Sequence, residues 1–361
     1  GDETFELRLS AANGAVVDDA TGVGTIRNDD PTPLISASNG GITNPVGVEG
    51  DSLTFVISIS NPSASAITVD YATEHDTANG GDYNSRSGTA TIPAGSTQTT
   101  VNVPTTDDSR DEPTQAFILA LSNASGAGIA DTTAVGTIQD NDAAPAISIA
   151  NASANEGGRL DFAVSLSAAS EYTARVDYAT TAGSAEGSDY TADSGRLTFS
   201  PGQTAKTVSV NLGQDGVYEG DETLRVDLSS PSRLSIGDGR GWGTIREDDP
   251  KPRLTVGNAP HRGENQGSTS FAISIDRKSE VNACVRIRTV NNQAKAGSDF
   301  HAKDWNRTCF SGNQTSKTFT VSFINDGNHE GNERFYVDAS NPNGNLVIAD
   351  GRGVTRINND D

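Results

Sequence analysis

The chain has 361 residues, of which 34% are hydrophobic, and a formal net charge of −22. That length allows two to four domains, and the charge speaks against nucleic acid, whose phosphate backbone is held by Lys and Arg that displace its counterions. No apolar run is long enough to cross a bilayer as a helix and no signal-peptide pattern stands at Gly1, so the carboxylate excess is left to serve solubility, salt tolerance or bound cations.

Taken from the N-terminus, residues 1–30 open with GDETFELRLS, a near copy of EGDETLRVDLSS at Glu219–Ser230, and run to an acidic tail at Asp29 and Asp30. They match only the closing portion of a unit that recurs later. We therefore expect the final two strands of a domain whose earlier strands come from upstream chain or, by strand addition, from another molecule in a head-to-tail filament. Complete units follow at 31–142, 143–249 and 250–361, the last one diverged. The closing acids Asp30, Asp142, Asp249 and Asp361 are spaced by 112, 107 and 112 residues, the mark of a repeat array.

Within each unit the same elements are expected in the same order. A first apolar run ends at Glu49, Glu156 or Glu264, and the alternating runs LTFVISIS (53–60), DFAVSLS (161–167) and TSFAISID (269–276) follow. The middle stretches are YATEHDTANGGDY, YATTAGSAEGSDY and RTVNNQAKAGSDF. TTVNVP, KTVSVNL and KTFTVSF come next, then an acidic stretch, then AFILALS, LRVDLS and RFYVDAS. Period-two alternation predicts strands with one buried face. Roughly seven such strands in about a hundred residues describe an immunoglobulin-like β-sandwich, so the fold class is all-β, a tandem and extended array with helices nearly absent.

In the first complete unit the acids fall at Glu49, at Asp76 and Asp82 in the middle, at Asp107, Asp108, Asp111 and Glu112 before a late strand, and at Asp140 and Asp142. Alternate loops of a sandwich gather at one end, so four distant loops would bring these carboxylates together. Two unit charges about 4 Å apart repel by roughly 4 kcal/mol at an effective dielectric near 20. Ca²⁺, with about 6–8 oxygen ligands in adaptable geometry, relieves such a pole better than the strictly octahedral Mg²⁺. A single Asp in these loops is a turn former; a set recurring in phase points to metal. His75, His261, His301 and His329 occupy non-equivalent positions without a nucleophile beside them, and no catalytic site is expected. Cys284 and Cys309 share one unit, which predicts an intradomain disulfide in an oxidising compartment, with two buried free thiols as the alternative.

The combination of TEHDTANGGDY, EGDETLRVDLS and GTIREDDP at these separations resembles the Calx-β repeat, known from sodium–calcium exchangers and bacterial surface proteins, over nearly the whole chain. The resemblance implies a seven-stranded sandwich binding calcium at one pole through an early Glu, a mid-domain Asp, an acidic stretch before the sixth strand and a terminal acidic triplet. Carried onto this sequence, the first unit offers Glu49, Asp107, Asp108, Glu112, Asp140 and Asp142, with His75 at the mid-domain place and Asp76 as its neighbour. The second offers Glu156, Asp215, Glu219, Asp221, Glu222, Glu247, Asp248 and Asp249, with Ala182 at mid-domain. The third offers Glu264, Asp326, Glu330, Glu333, Asp360 and Asp361, with Asn292 and Asn325 replacing acids. Asp29 and Asp30 are what the leading fragment offers. Fewer ions per pole than in the exchangers, and weaker binding in the third unit, are expected.

The joints NDDPTPL, DNDAAPAI and EDDPKPRL are short and carry Pro31, Pro33, Pro145, Pro250 and Pro252, each fixing φ. The expected function is a calcium-stiffened stalk in a larger extracellular or cell-surface protein, serving adhesion or matrix assembly. Its partners would be calcium, neighbouring repeats, a cell-surface protein or glycan, and further copies of itself. The alternative is a glycan- or protein-binding module centred on the third unit, where His301, Lys303, Trp305 and Arg307 cluster. An exchanger-like calcium switch would need a transport or signalling domain in the same polypeptide.

Overall fold

A computed structural model of the protein describes residues 1–35 and 45–358; the expected ligands Asp360 and Asp361 lie outside the described residues. Two compact units divide the chain, 1–143 and 144–361. The first holds a hairpin, Glu3–Arg8 paired antiparallel with Thr21–Ile26, and one sandwich; the second holds two sandwiches. Each sandwich has its own apolar core.

The second repeat shows why the alternating runs become strands. Along Arg159–Leu166, Leu160, Phe162, Val164 and Leu166 are buried and the residues between them exposed, the pleat sending successive side chains to opposite faces. This strand sits between Ala205–Asn211 and Ala146–Ile149, and Ser235–Asp238 completes a four-stranded sheet. Across the core, Ala152–Asn155, Arg240–Arg246, Glu222–Ser232, Ala174–Ala182 and Ser194–Phe199 make a five-stranded sheet. Each fully buried Phe or Leu of this core contributes about 1.5–3 kcal/mol.

The third repeat copies the order. Ser316–Ser322, Ser268–Ile275, Arg253–Val256 and Val347–Asp350 form one sheet; Arg262–Gly263, Arg352–Asn358, Glu333–Ser340, Ser279–Val290 and Asn306–Gly312 form the other. In the first repeat the five-stranded sheet is Val46–Val48, Thr133–Gln139, Gln115–Ser125, Ile67–His75 and Ser87–Ile92. Its core is shared with the pairs Ser52–Ser58/Gln98–Pro104 and Leu34–Ile35/Gly128–Ile129.

Two features depart from the sequence expectation. The first and last strands of a repeat each change sheets midway, so seven strands appear as nine segments. At Gly241 an added Cβ would lie 2.9 Å from Ala150 O, and only glycine lets the last strand cross so close to the first. The middle stretch is also not all loop: Tyr71–His75 continue the strand that begins at Ile67. The one helical turn among the described residues is the 3-10 turn Glu264–Gln266.

Cys284 and Cys309 are register partners on adjacent strands and are disulfide-bonded. Trp305 is partly exposed, and the Arg288 guanidinium lies 4.4 Å from the centre of its ring, so a cation already covers one face.

Candidate metal centre

The sheet switch is what assembles the acids. Ala152–Asn155 runs parallel to Arg240–Arg246 with Asn155 opposite Arg246, so the next residues, Glu156 and Glu247, emerge side by side. In the first repeat Val48 is opposite Gln139, which brings Glu49 to Asp140. The third repeats the pairing as far as Gly263 opposite Asn358, just before Glu264.

Two carboxylate sets result. A terminal set gathers ligand-capable oxygens within 4.8 Å of one another from Glu49, Asp140 and Asp142 in the first repeat, and from Glu156, Glu247 and Asp249 in the second. A loop set gathers Asp189, Glu219 and Glu222 in the second and Asp299, Glu330 and Glu333 in the third, within the same span.

Close backbone contact fixes the loops of the second pole. Gly157, in the left-handed region at φ 65°, donates its N–H to Gly213 O at 2.6 Å, and Gly213 donates to Asp189 O at 2.8 Å. A Cβ on Gly213 would lie 2.2 Å from Ser188 O, so that position has no room for a side chain, while Gly157 is held to glycine by its positive φ. A cleft of about 220 Å³ remains, lined by Glu156, Asp189, Asp215 and Glu219 among others. The Glu247 carboxylate accepts from the N–H groups of Glu219, Gly220 (2.7 Å) and Asp249 (2.7 Å), tying the terminal acids to the acidic loop.

The poles are electrostatically unbalanced. Burial first, then the charges of Asp140, Asp108, Asp142 and Asp107, push the Glu49 carboxyl up to about 7. Burial, then Glu247, Asp249, Asp248 and Asp215, do the same to Glu156. Glu219 and Glu222 are pushed up to about 8: burial leads in both, and the charges of Asp189 and Glu280 add to it. Burial also raises Asp140, Asp249 and Glu333. Two cations intervene: Arg277 partly offsets the rise at Asp249, and Lys295 the rise at Glu333.

Among the described residues, the buried carboxylate oxygens without a hydrogen-bond partner are Glu49 Oε2, Asp140 Oδ1, Asp142 Oδ2, Asp249 Oδ2 and Glu222 Oε2. Stranding a buried polar group costs about 1–3 kcal/mol, more when it is charged. Converging acceptors that lack donors are complemented by a hard cation that takes oxygen ligands. The side chains present fit one.

The expected ligands divide accordingly. Glu49, Asp140, Asp142, Glu156, Glu219, Glu222, Glu247, Asp249, Glu330 and Glu333 enter the trios. Asp107, Asp108, Asp215 and Asp248 are exposed, and their charges reach the trios from the side. Asp215 Oδ1 accepts from Val217 N–H at 2.7 Å and Asp326 Oδ1 from Asn328 N–H at 2.8 Å, both shaping their loops. Asp221 accepts from Glu247 N–H, and Glu112 from the Gln115 amide at 2.9 Å. Glu264 is buried in its 3-10 turn. Asp76, Asp29 and Asp30 are exposed, and no trio forms around them among the described residues.

At the mid-domain place the non-acidic residues point elsewhere. His75 meets Tyr83 Oη at 2.9 Å, and Asn292 donates to Tyr336 Oη at 2.9 Å. The acids that complete the loop trios are instead Asp189 and Asp299, the Asp of GSDY and GSDF. Each also closes its loop by accepting a backbone N–H, from Glu186 and Lys295 respectively, at 2.5 Å. In-phase recurrence of that motif, with Asp82 in the first repeat, is the signal that locates them.

Fold and site together define a tandem array of immunoglobulin-like sandwiches with acidic poles. The Calx-beta domain model matches residues 48–142, 140–237 and 247–358; the chain belongs to the Calx-beta family. It is similar to sodium/calcium exchanger 2 of Rattus norvegicus, 29% identical over 194 residues that cover 46% of this chain and 20% of that protein. To sodium/calcium exchanger 1 of Canis lupus familiaris it is 28% identical over 202 residues, covering 47% and 20%. The chain thus spans about a fifth of the length of these relatives. Among solved structures, CBD12 from CALX1.2 is 17% identical and covers 59% of this chain and 99% of its own, at a TM-score of 0.29. The apo-form Calx CBD1 domain is 23% identical and covers 31% and 100%, also at 0.29.

Proposed function

We propose that this chain is a calcium-binding structural repeat region, divided at 1–30, 31–142, 143–249 and 250–361, in which ions seated at the poles stiffen the joints between successive sandwiches. The observation that carries this reading is the convergence of carboxylate trios at corresponding places in successive repeats, with a buried, partnerless oxygen at Asp142 in the first and at the matching Asp249 in the second. Membership of the Calx-beta family and likeness to segments of sodium/calcium exchangers support it. The second repeat would hold calcium through Glu156, Glu247 and Asp249 and through Asp189, Glu219 and Glu222; the first through Glu49, Asp140 and Asp142. Calcium supplies positive charge there and nothing catalytic. Short proline-bearing joints favour a stalk, and the Cys284–Cys309 bridge favours an oxidising, extracellular or cell-surface setting.

Thermal melts of residues 1–361 with increasing calcium test the binding. An ion that binds only the folded state adds about 2.7 kcal/mol per site at a hundred times its Kd, so Tm should climb with calcium and far less with magnesium. A Tm indifferent to calcium, with no heat of binding by titration calorimetry, ends the reading. Small-angle scattering with and without chelator tests the stiffening separately: an unchanged maximum dimension would refute it.

A further inference from the structure

The loop set of the second repeat does not stop at its own repeat. Tyr218, one residue before Glu219, is buried against the third repeat and forms a parallel β-bridge with Ser279. Its N–H donates to Lys278 O at 3.5 Å; its carbonyl accepts from Glu280 N–H at 3.1 Å and lies 3.0 Å from Ser279 Oγ. Ser279 is 1% exposed, while Lys278 and Glu280 on either side are exposed. The residues that directly follow this isolated bridge are Glu219 in the second repeat and Glu280 in the third, and the charge of Glu280 reaches Glu219 and Glu222.

A glutamate from one repeat thus stands beside the loop trio of another. Glu219 is 8% exposed and lines the cleft. Glu222 Oε2 is buried without a partner. Gly220, in the left-handed region at φ 85°, brings the acidic loop so close that an added Cβ would lie 3.8 Å from Val281 Cγ1 of the third repeat. Packing therefore brings the backbone of a fourth acidic residue beside three carboxylates that already repel, and Glu280 itself is exposed.

Resting on the calcium reading above, we infer that Glu280 of the third repeat is a ligand for a cation held by Asp189, Glu219 and Glu222, which makes this a site built from two repeats. Filling the site then fastens the third repeat to the second. An isolated second repeat would hold the same ion more weakly.

Calcium titration calorimetry on the full 1–361 chain and its Glu280→Gln and Glu280→Lys variants, with melts in chelator, tests this. Losing a ligating charge should weaken one class of sites about tenfold or more. Metal-free Tm should hold or rise for Glu280→Gln and rise for Glu280→Lys, since both relieve repulsion. Unchanged affinity and stoichiometry in both variants overturns the inference and leaves the calcium reading standing. Wild-type chain that binds no calcium overturns both.

Discussion

The loop sets of the three repeats occupy one scaffold and balance their charge in three ways. In the second, Asp189, Glu219 and Glu222 converge, and Glu222 keeps a buried oxygen without a partner. In the first, Gln115 stands where Glu222 does and donates its amide to Glu112, so the third carboxylate is replaced by a donor. In the third, all three acids are present, but Lys295 donates to Asn292 O and its charge draws Glu333 back down. The same strand order therefore presents three clustered acids, an amide-neutralised set or a set partly balanced by a nearby ammonium, according to one or two side chains.

The largest way to sharpen this contrast is pH. In the metal-free chain Glu49 and Glu156 lose their protons near 7 and Glu219 and Glu222 near 8, whereas the unfolded chain releases them near 4.5. Between those values the folded state binds more protons. The stability this lends is complete below about pH 4.5 and lost as pH climbs through about 7 to 8. Melts in chelator from about pH 5 to 9 should show Tm falling, and saturating calcium should remove or reverse the slope. A flat metal-free profile would break the claim that these carboxylates are unbalanced.

Next in size is Gln115→Glu, which converts the first repeat's loop set toward the second's. A carboxylate at this buried position, facing Glu112, should cost about 2 kcal/mol or more without metal. Calcium should restore the loss and one further ion should bind, read by calorimetry; a variant that is destabilised but gains no ion would separate the two sites. The smallest effect belongs to Lys295→Gln. An exposed ion pair contributes roughly 0–1 kcal/mol, so the third repeat should melt only slightly lower in chelator, while its response to calcium should grow.

Much of this could be read from the sequence. Alternation exposed the strands because each sandwich buries one face of each sheet, and Leu160, Phe162 and Val164 recur at the period a pleat demands. The acidic positions were legible because Glu49 and Glu156, or Asp142 and Asp249, return in phase. The mid-domain place of the family fell on His75, Ala182 and Asn292, which are not acids, whereas the acids that join the loop trios are Asp189 and Asp299, since an alignment gives a position but not the direction of a side chain. The sheet switch left no trace in hydrophobic pattern, because both halves of the first strand alternate alike. Glu280 gave no signal because what places it beside the second repeat is the bridge at Ser279, a contact between repeats, although Ser170-Glu171 repeats Ser279-Glu280 in phase.

The parallel pair Ala152–Asn155 and Arg240–Arg246 joins the entry and exit strands of one sandwich. Tension on the two ends of that sandwich pulls these strands in opposite directions along their length. The hydrogen bonds between them are then loaded together in shear and must break as a group rather than in succession. Glu156 and Glu247 stand at the end of this pair, so a cation held between them would place its crosslink on the element that bears the pull.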